Sequence, residues 1–152
     1  RFEPHLWHRK YREFGLTDAQ RDQMPFTPNA QVPFSRVASE TNEAAFDKAM
    51  AINPALTVYS TSFGLYQVMG YNFADYKNTA TEKVKSFRDD PEGASYELLL
   101  KWFEGNPNAI QAAKDKDFML LARHYNGPAN VNVYGPRMAK EYEAFSGGSA
   151  TA

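Results

Sequence analysis

Cysteine is absent from this sequence of 152 residues. That removes disulfides, thiol nucleophiles and Cys-ligated zinc together, and it leaves the redox compartment open. Long apolar runs are also missing: none approaches the ~18 residues that a membrane span requires, and no signal peptide is read at the start, so no membrane insertion is expected. Neither sign of charge dominates, since 17 basic residues stand against 18 acidic ones. No strong field draws nucleic acid or anionic lipid, and a neutral ligand fits better. A phosphate-cradling glycine motif is absent, because Gly147-Gly148 lies at the tail. Thr61-Ser62-Phe63-Gly64 lacks the Gly-x-Ser-x-Gly turn of a serine hydrolase. His5 and His8 stand three apart with Glu3 nearby, but nothing else pairs with them at a metal-site spacing, so neither a metal nor a cofactor is expected.

What is present is a chain long enough for one domain with a real core, and a generous supply of aromatics, including nine tyrosines. Tyr and Trp stack their faces on sugar rings or bases while their polar tips hydrogen-bond, although an aromatic core explains any single ring as well. Apolar residues recur mostly at helical spacing. Trp7, Tyr11 and Phe14 predict a helix over 6–14, stopped by Gly15. Pro25, Pro28 and Pro33 make 16–37 an irregular surface loop, with one helical turn at Thr17-Asp18-Ala19-Gln20. A further helix ends near Ile52, before Asn53-Pro54. Leu65, Val68, Met69 and Asn72 predict a helix over 64–72. Thr79 and Glu82 have capping-box spacing for a helix over 80–88. Tyr96, Leu99, Leu100 and Phe103 predict a core face. Asn106-Pro107 opens a helix to Lys114, and Asp115 or Asp117 caps the next, whose apolar face is Phe118, Leu121, Ala122 and Tyr125. Asn126-Gly127-Pro128 ends it, and Pro136 opens a last helix to Phe145 with Met138, Tyr142 and Phe145 inward. The expected fold is mainly α, one domain over 1–145 with little or no sheet, followed by a flexible tail or linker over 146–152.

The most informative stretch is Thr61-Ser62-Phe63-Gly64-Leu65-Tyr66-Gln67-Val68-Met69-Gly70-Tyr71-Asn72. It sets hydroxyls, a glycine and a glutamine in an aromatic run, a mixture suited to a polymer-binding cleft. Glu3 is the catalytic candidate. Between Phe2 and Pro4, apolar neighbours would desolvate the carboxyl and keep it protonated, as an acid that protonates a glycosidic oxygen must be. The other reading is a surface glutamate near a frayed end.

Three segments in order carry a resemblance: Phe2-Glu3-Pro4-His5, the stretch from Thr61 to Asn72, and Ala122-Arg123-His124-Tyr125-Asn126-Gly127-Pro128. Together they resemble the N-acetylmuramidase family of phage endolysins, a branch of the lysozyme-like superfamily. Its patterns run roughly Phe-Glu-x-His, Ser-Trp-Gly-x-Phe-Gln-Ile-Met-Gly-Phe-Asn and Tyr-Asn-Gly-Pro. Phe63 stands where Trp is usual. The resemblance implies a lysozyme-like fold and cleavage of the β-1,4 bond between N-acetylmuramic acid and N-acetylglucosamine. The partner it implies is the bacterial peptidoglycan glycan strand, met at the cell wall by a phage-encoded protein, either periplasmic or virion-associated; a monomer is expected. Ser62, Gly64, Leu65 and Gln67 match a motif that lines the sugar cleft in goose-type lysozymes and lytic transglycosylases. Tyr125 and Asn126 match the pair on the opposite wall, while His5 and Phe63 join the binding set. Glu3 matches the second acidic position, a supporting carboxylate that orients water or stabilises positive charge.

The family's principal acid lies in a Glu-Ser-x-Gly segment upstream of Phe-Glu-x-His. No such segment occurs in these 152 residues. Because Arg1 is not Met and Phe2-Glu3-Pro4-His5 reads as mid-segment, residues are expected upstream, and the acid either precedes Arg1 or has been lost. Three readings therefore stand side by side: hydrolysis, wall binding without cleavage, and lytic transglycosylation.

Overall fold

Proline at the first helical position and glycine after the last set the limits of the first element. Pro4 opens α1 (Pro4–Lys10), its missing N–H being one that a helix start leaves unbonded. A tighter 3-10 turn, Tyr11–Phe14, completes the expected segment, and Gly15 ends it at φ 75°. The computed structural model describes residues 1–24 and 42–147, so the expected loop beyond residue 24 and the tail beyond residue 147 lie outside the described residues. The chain falls into two compact units, Arg1–Lys101 and Trp102–Ala152. Among the described residues it is mainly α, with one two-stranded sheet.

In the first unit, Thr17 caps α2 (Asp18–Asp22) through a full capping box: its Oγ1 accepts from Gln20 N–H, and Gln20 Oε1 accepts from Thr17 N–H at 2.9 Å. α3 (Asn42–Ile52) ends where expected. Asn53 then caps α4 (Pro54–Tyr59), accepting from Leu56 N–H at 2.8 Å. Sequence reading left α4 unassigned, because an apolar stretch this short shows no period of its own. Phe2, Trp7, Tyr11, Ala45, Ala49 and Leu56 share one core. Trp7 is wholly buried, and its indole N–H donates to Thr57 Oγ1 at 3.3 Å, so the ring is sequestered without stranding its polar atom.

The helix expected over 64–72 is a hairpin. β1 (Ser62–Phe63) pairs antiparallel with β2 (Val68–Met69), Ser62 facing Met69 and Phe63 facing Val68, and a 3-10 turn, Gly70–Asn72, follows. The backbone at Gly64 (φ 68°) and Gln67 (φ 54°) is left-handed. Two such residues three apart cannot belong to a right-handed helix, and they close a tight turn instead. The helical spacing of Leu65, Val68 and Met69 was coincidental. Phe63 packs between Phe46, Phe73 and Phe87 at ring separations of 6.4, 5.4 and 5.1 Å.

α5 (Tyr76–Asp89) starts earlier than the expected capping box. Thr79 forms a kink inside it, with its hydroxyl donating to Asp75 C=O at 3.0 Å. α6 (Pro91–Glu104) buries Ala94, Ser95, Leu98 and Trp102, whereas Tyr96 is 56% and Leu100 45% exposed. The expected core face is thus rotated away. The buried side mixes small Ala94 and Ser95 with Leu98 and Trp102, and a spacing count of large apolar residues passes over the small pair.

In the second unit, α7 (Pro107–Lys114) follows Asn106, whose amide reaches back to donate to Trp102 C=O at 2.7 Å rather than capping. Asp117 caps α8 (Phe118–Asn126), accepting from Leu120 N–H at 2.9 Å. After Gly127 and a 3-10 turn, Pro128–Asn130, α9 (Val131–Gly147) runs through Pro136 instead of starting there. The expected inward face is also overturned in part, since Phe145 is 86% exposed and Tyr142 40%. α9 meets α8 through Gly135, where a Cβ would lie 2.4 Å from Met119 Sδ.

Candidate functional site

The segment that carries Glu3 is fixed by its backbone on three sides. Phe2 bridges Thr61 in antiparallel fashion, and Glu3 N–H donates to Ser60 C=O at 2.8 Å. Asn42 clamps Phe2 from both ends: its Oδ1 accepts from Phe2 N–H at 2.9 Å and its Nδ2 donates to Phe2 C=O at 2.8 Å. This bidentate use matches the donor and acceptor of a primary amide to one residue's backbone pair. Ser62 N–H donates to Arg1 C=O at 2.9 Å, so residues 1–3 extend the hairpin's edge before turning into α1.

Adjacent residues in an extended segment project to opposite sides. Phe2 enters the core, and the Glu3 side chain is 13% exposed. Arg1 Nε lies 3.2 Å from one carboxylate oxygen and His5 Nδ1 3.7 Å from the other. A guanidinium and an imidazole, which the sequence reading did not set against the carboxyl as partners, thus stand beside it. Held in this way, the carboxyl group has its direction fixed between Arg1 and His5.

On the hairpin, the polar residues first satisfy one another. Ser62 Oγ donates to Gln67 Oε1 at 3.0 Å, and Gln67 Nε2 donates to Gly64 C=O at 2.9 Å. Each end of the Gln67 amide retains one further hydrogen-bonding position, and the residue is exposed. Leu65 is 72% exposed at the tip, whereas Phe63 is only 8% exposed and belongs to the packed aromatic group. Gly64 has no alternative: a Cβ there would lie 2.0 Å from Ser95 Oγ and 2.9 Å from the Phe87 ring. Ser62, Phe63 and Gly64 also line a groove of about 420 Å³, in which Phe46 and Phe87 supply apolar wall and Arg88 charge. Its volume is in the range of small-molecule sites. Arg88 is itself paired with Asp47 at 2.8 Å.

Tyr125 and Asn126 form the last turn of α8 in the second unit. The Tyr125 ring meets Trp102 edge-on at 4.7 Å. Asn126 Oδ1 is buried without a hydrogen-bond partner, an unmet acceptor of the kind that a ligand's hydroxyl or amide would satisfy. Gly127, at φ 82°, turns the chain out of the helix.

The structure therefore joins Glu3, His5, Ser62, Phe63, Gly64, Leu65 and Gln67 in one region of the first unit, and Tyr125 and Asn126 in one turn of the second. Asn42 and Ser95 belong to the first region, and neither was singled out from sequence. No local pattern announces an amide that clamps a backbone 40 residues away. Ser95 carried one faint signal, a small polar residue on a helix otherwise rich in large apolar ones. His8, considered with His5 as a metal ligand, instead contacts Met24 C=O through Nε2 at 2.5 Å. Among the described residues, no three His, Asp or Glu side chains are placed to hold a metal ion, and no helix is long and apolar enough to cross a membrane.

A family model described as N-acetylmuramidase matches residues 1–146. No curated protein and no solved structure matches the chain.

Proposed function

The chain belongs to the N-acetylmuramidase family, and from that premise we propose that it cleaves the β-1,4 bond between N-acetylmuramic acid and N-acetylglucosamine in peptidoglycan, as a phage-type lytic protein at the bacterial cell wall. The observation that carries this reading is the joining of the Glu3 segment to the Ser62–Gln67 turn by main-chain hydrogen bonds. A carboxylate and an amide-bearing, partly exposed turn are thereby presented from one support, as a sugar polymer requires. Gln67 offers its remaining donor and acceptor to hydroxyl and N-acetyl groups, and Asn126 Oδ1 offers a further acceptor. Glu3, flanked by Arg1 and His5, acts as the supporting carboxylate that orients water or stabilises the positive charge developing at the anomeric carbon.

The same pairing of Glu3 favours a second reading, in which the chain binds glycan without cutting it. A carboxylate engaged by a guanidinium is poorly placed to deliver a proton to a leaving oxygen. Mass analysis of muropeptides after incubation of the chain with purified peptidoglycan separates the readings. Reducing disaccharide ends that disappear with Glu3→Gln are the expected result. Anhydro-sugar ends would replace hydrolysis with transglycosylation. Intact strands that nonetheless sediment with the protein would overturn cleavage by these 152 residues and leave glycan binding, with the principal acid either lost or preceding Arg1.

A further inference from the structure

We infer that Ser95, on α6, is a positioning residue for glycan recognition, holding the tip of the hairpin in its binding geometry; the inference rests on the muramidase reading above. Buried Phe63 and Val68 anchor the base of the turn, and Leu65 at its tip stands clear of them. Each strand of the hairpin is two residues long, well below the length at which a hairpin is stable alone. Leu65 is 72% exposed and Gln67 is exposed, so burial contributes little there. The bonds from Ser62 to Gln67 and from Gln67 to Gly64 are internal to the turn. They fix its shape and leave its placement open.

The placement comes from α6. Leu65 N–H donates to Ser95 Oγ at 3.1 Å, and Ser95 is 1% exposed. The serine's own hydrogen is committed to Pro91 C=O one helical turn earlier, so towards Leu65 the hydroxyl acts as an acceptor. Its orientation is set by the helix backbone. Gly64 completes the fit, because any side chain at that position would collide with Ser95 Oγ at 2.0 Å. Serine and glycine thus form a matched pair across the two elements. A larger residue at either position would lift the tip, and with it the Gln67 amide, off α6.

The test is Ser95→Ala, which keeps the volume small and removes the acceptor. Two readouts are compared with wild type: amide hydrogen exchange at Leu65 by NMR, and affinity for purified peptidoglycan by sedimentation. The expected result is exchange at Leu65 faster by about tenfold or more and affinity weaker by about tenfold, as suits one lost hydrogen bond. Unchanged exchange at Leu65 would overturn the lock itself. Faster exchange or a lowered unfolding midpoint with unchanged affinity of the folded protein would reduce Ser95 to a structural residue and overturn its positioning role. Failure of the wild-type chain to bind peptidoglycan would overturn the muramidase reading, and this inference with it.

Discussion

The hairpin of residues 62–69 and the helix pair α8 and α9 are held in their shapes by different means. The hairpin depends on directional bonds from Ser62, Gln67 and Ser95, and on two left-handed residues, while its tip stays exposed. The helix pair depends on close approach. Ala122 is fully buried, Gly135 lies against Met119, and Phe118 and Tyr142 meet at 5.4 Å. Hydrogen bonds set direction and contribute modestly to net stability, whereas packing contributes more and sets direction less. Damage to the hairpin should therefore appear first as lost recognition, and damage to the helix pair as lost stability.

Gly64→Ala should have the largest effect, because it adds both a collision with Ser95 and a left-handed alanine. Peptidoglycan cleavage, measured as release of reducing ends, should fall about 100-fold, the consequence of a site displaced by about 1 Å. A comparably large fall in the unfolding midpoint without lost cleavage would break the comparison. Gly135→Val should lower stability by about 2 kcal/mol through overpacking, read from the urea midpoint, because the added atoms meet both Met119 Sδ and its Cα.

The smallest effect should come from His8. Burial of its ring lowers its pKa below 6.5, Met24 C=O and Asp22 act in the opposite direction, and Arg21 adds to the lowering. The unfolded chain therefore takes up this proton at a higher pH than the folded one. The stability that depends on neutral His8 is complete above about pH 6.5 and is lost as pH falls from there towards the lowered value. Thermal midpoints recorded between about pH 7.5 and 5 should decline more steeply for wild type than for His8→Gln. Parallel declines would assign the pH dependence to other groups.

Much of the fold was legible where one residue's local chemistry decided the outcome. Thr17 with Gln20, Gly15, Asn53-Pro54 and Asp117 each act within a single turn of chain. The errors share a different cause. Sequence reading makes Gly64 the start of a helix and Gln67 part of it, since a non-glycine residue in left-handed backbone is held there by its context and gives no signal of its own. α6 turns Ser95 inward against the hairpin tip, where a Cβ on Gly64 would already collide with it, and nothing in the local sequence announces that approach. Pro136 looked like a helix start, yet α9 had already begun at Val131 and tolerates a proline in its interior. For the candidate site, the motif residues were visible as a group. Of the basic neighbours of Glu3, His5 was noted and Arg1 was not, because the direction in which a side chain leaves the backbone depends on the pairing of Phe2 with Thr61, 59 positions away.

The chain has two tryptophans, and they fall one to each unit: Trp7 is sealed in the core of the first, and Trp102 stands edge-on to Tyr125 in the second. Intrinsic fluorescence is thus a two-channel reporter that needs no label. With Trp7→Phe the remaining emission follows the second unit, and with Trp102→Phe it follows the first. Because Tyr125 touches the ring being watched, the emission of Trp102 would also report any ligand that disturbs that contact, without any turnover.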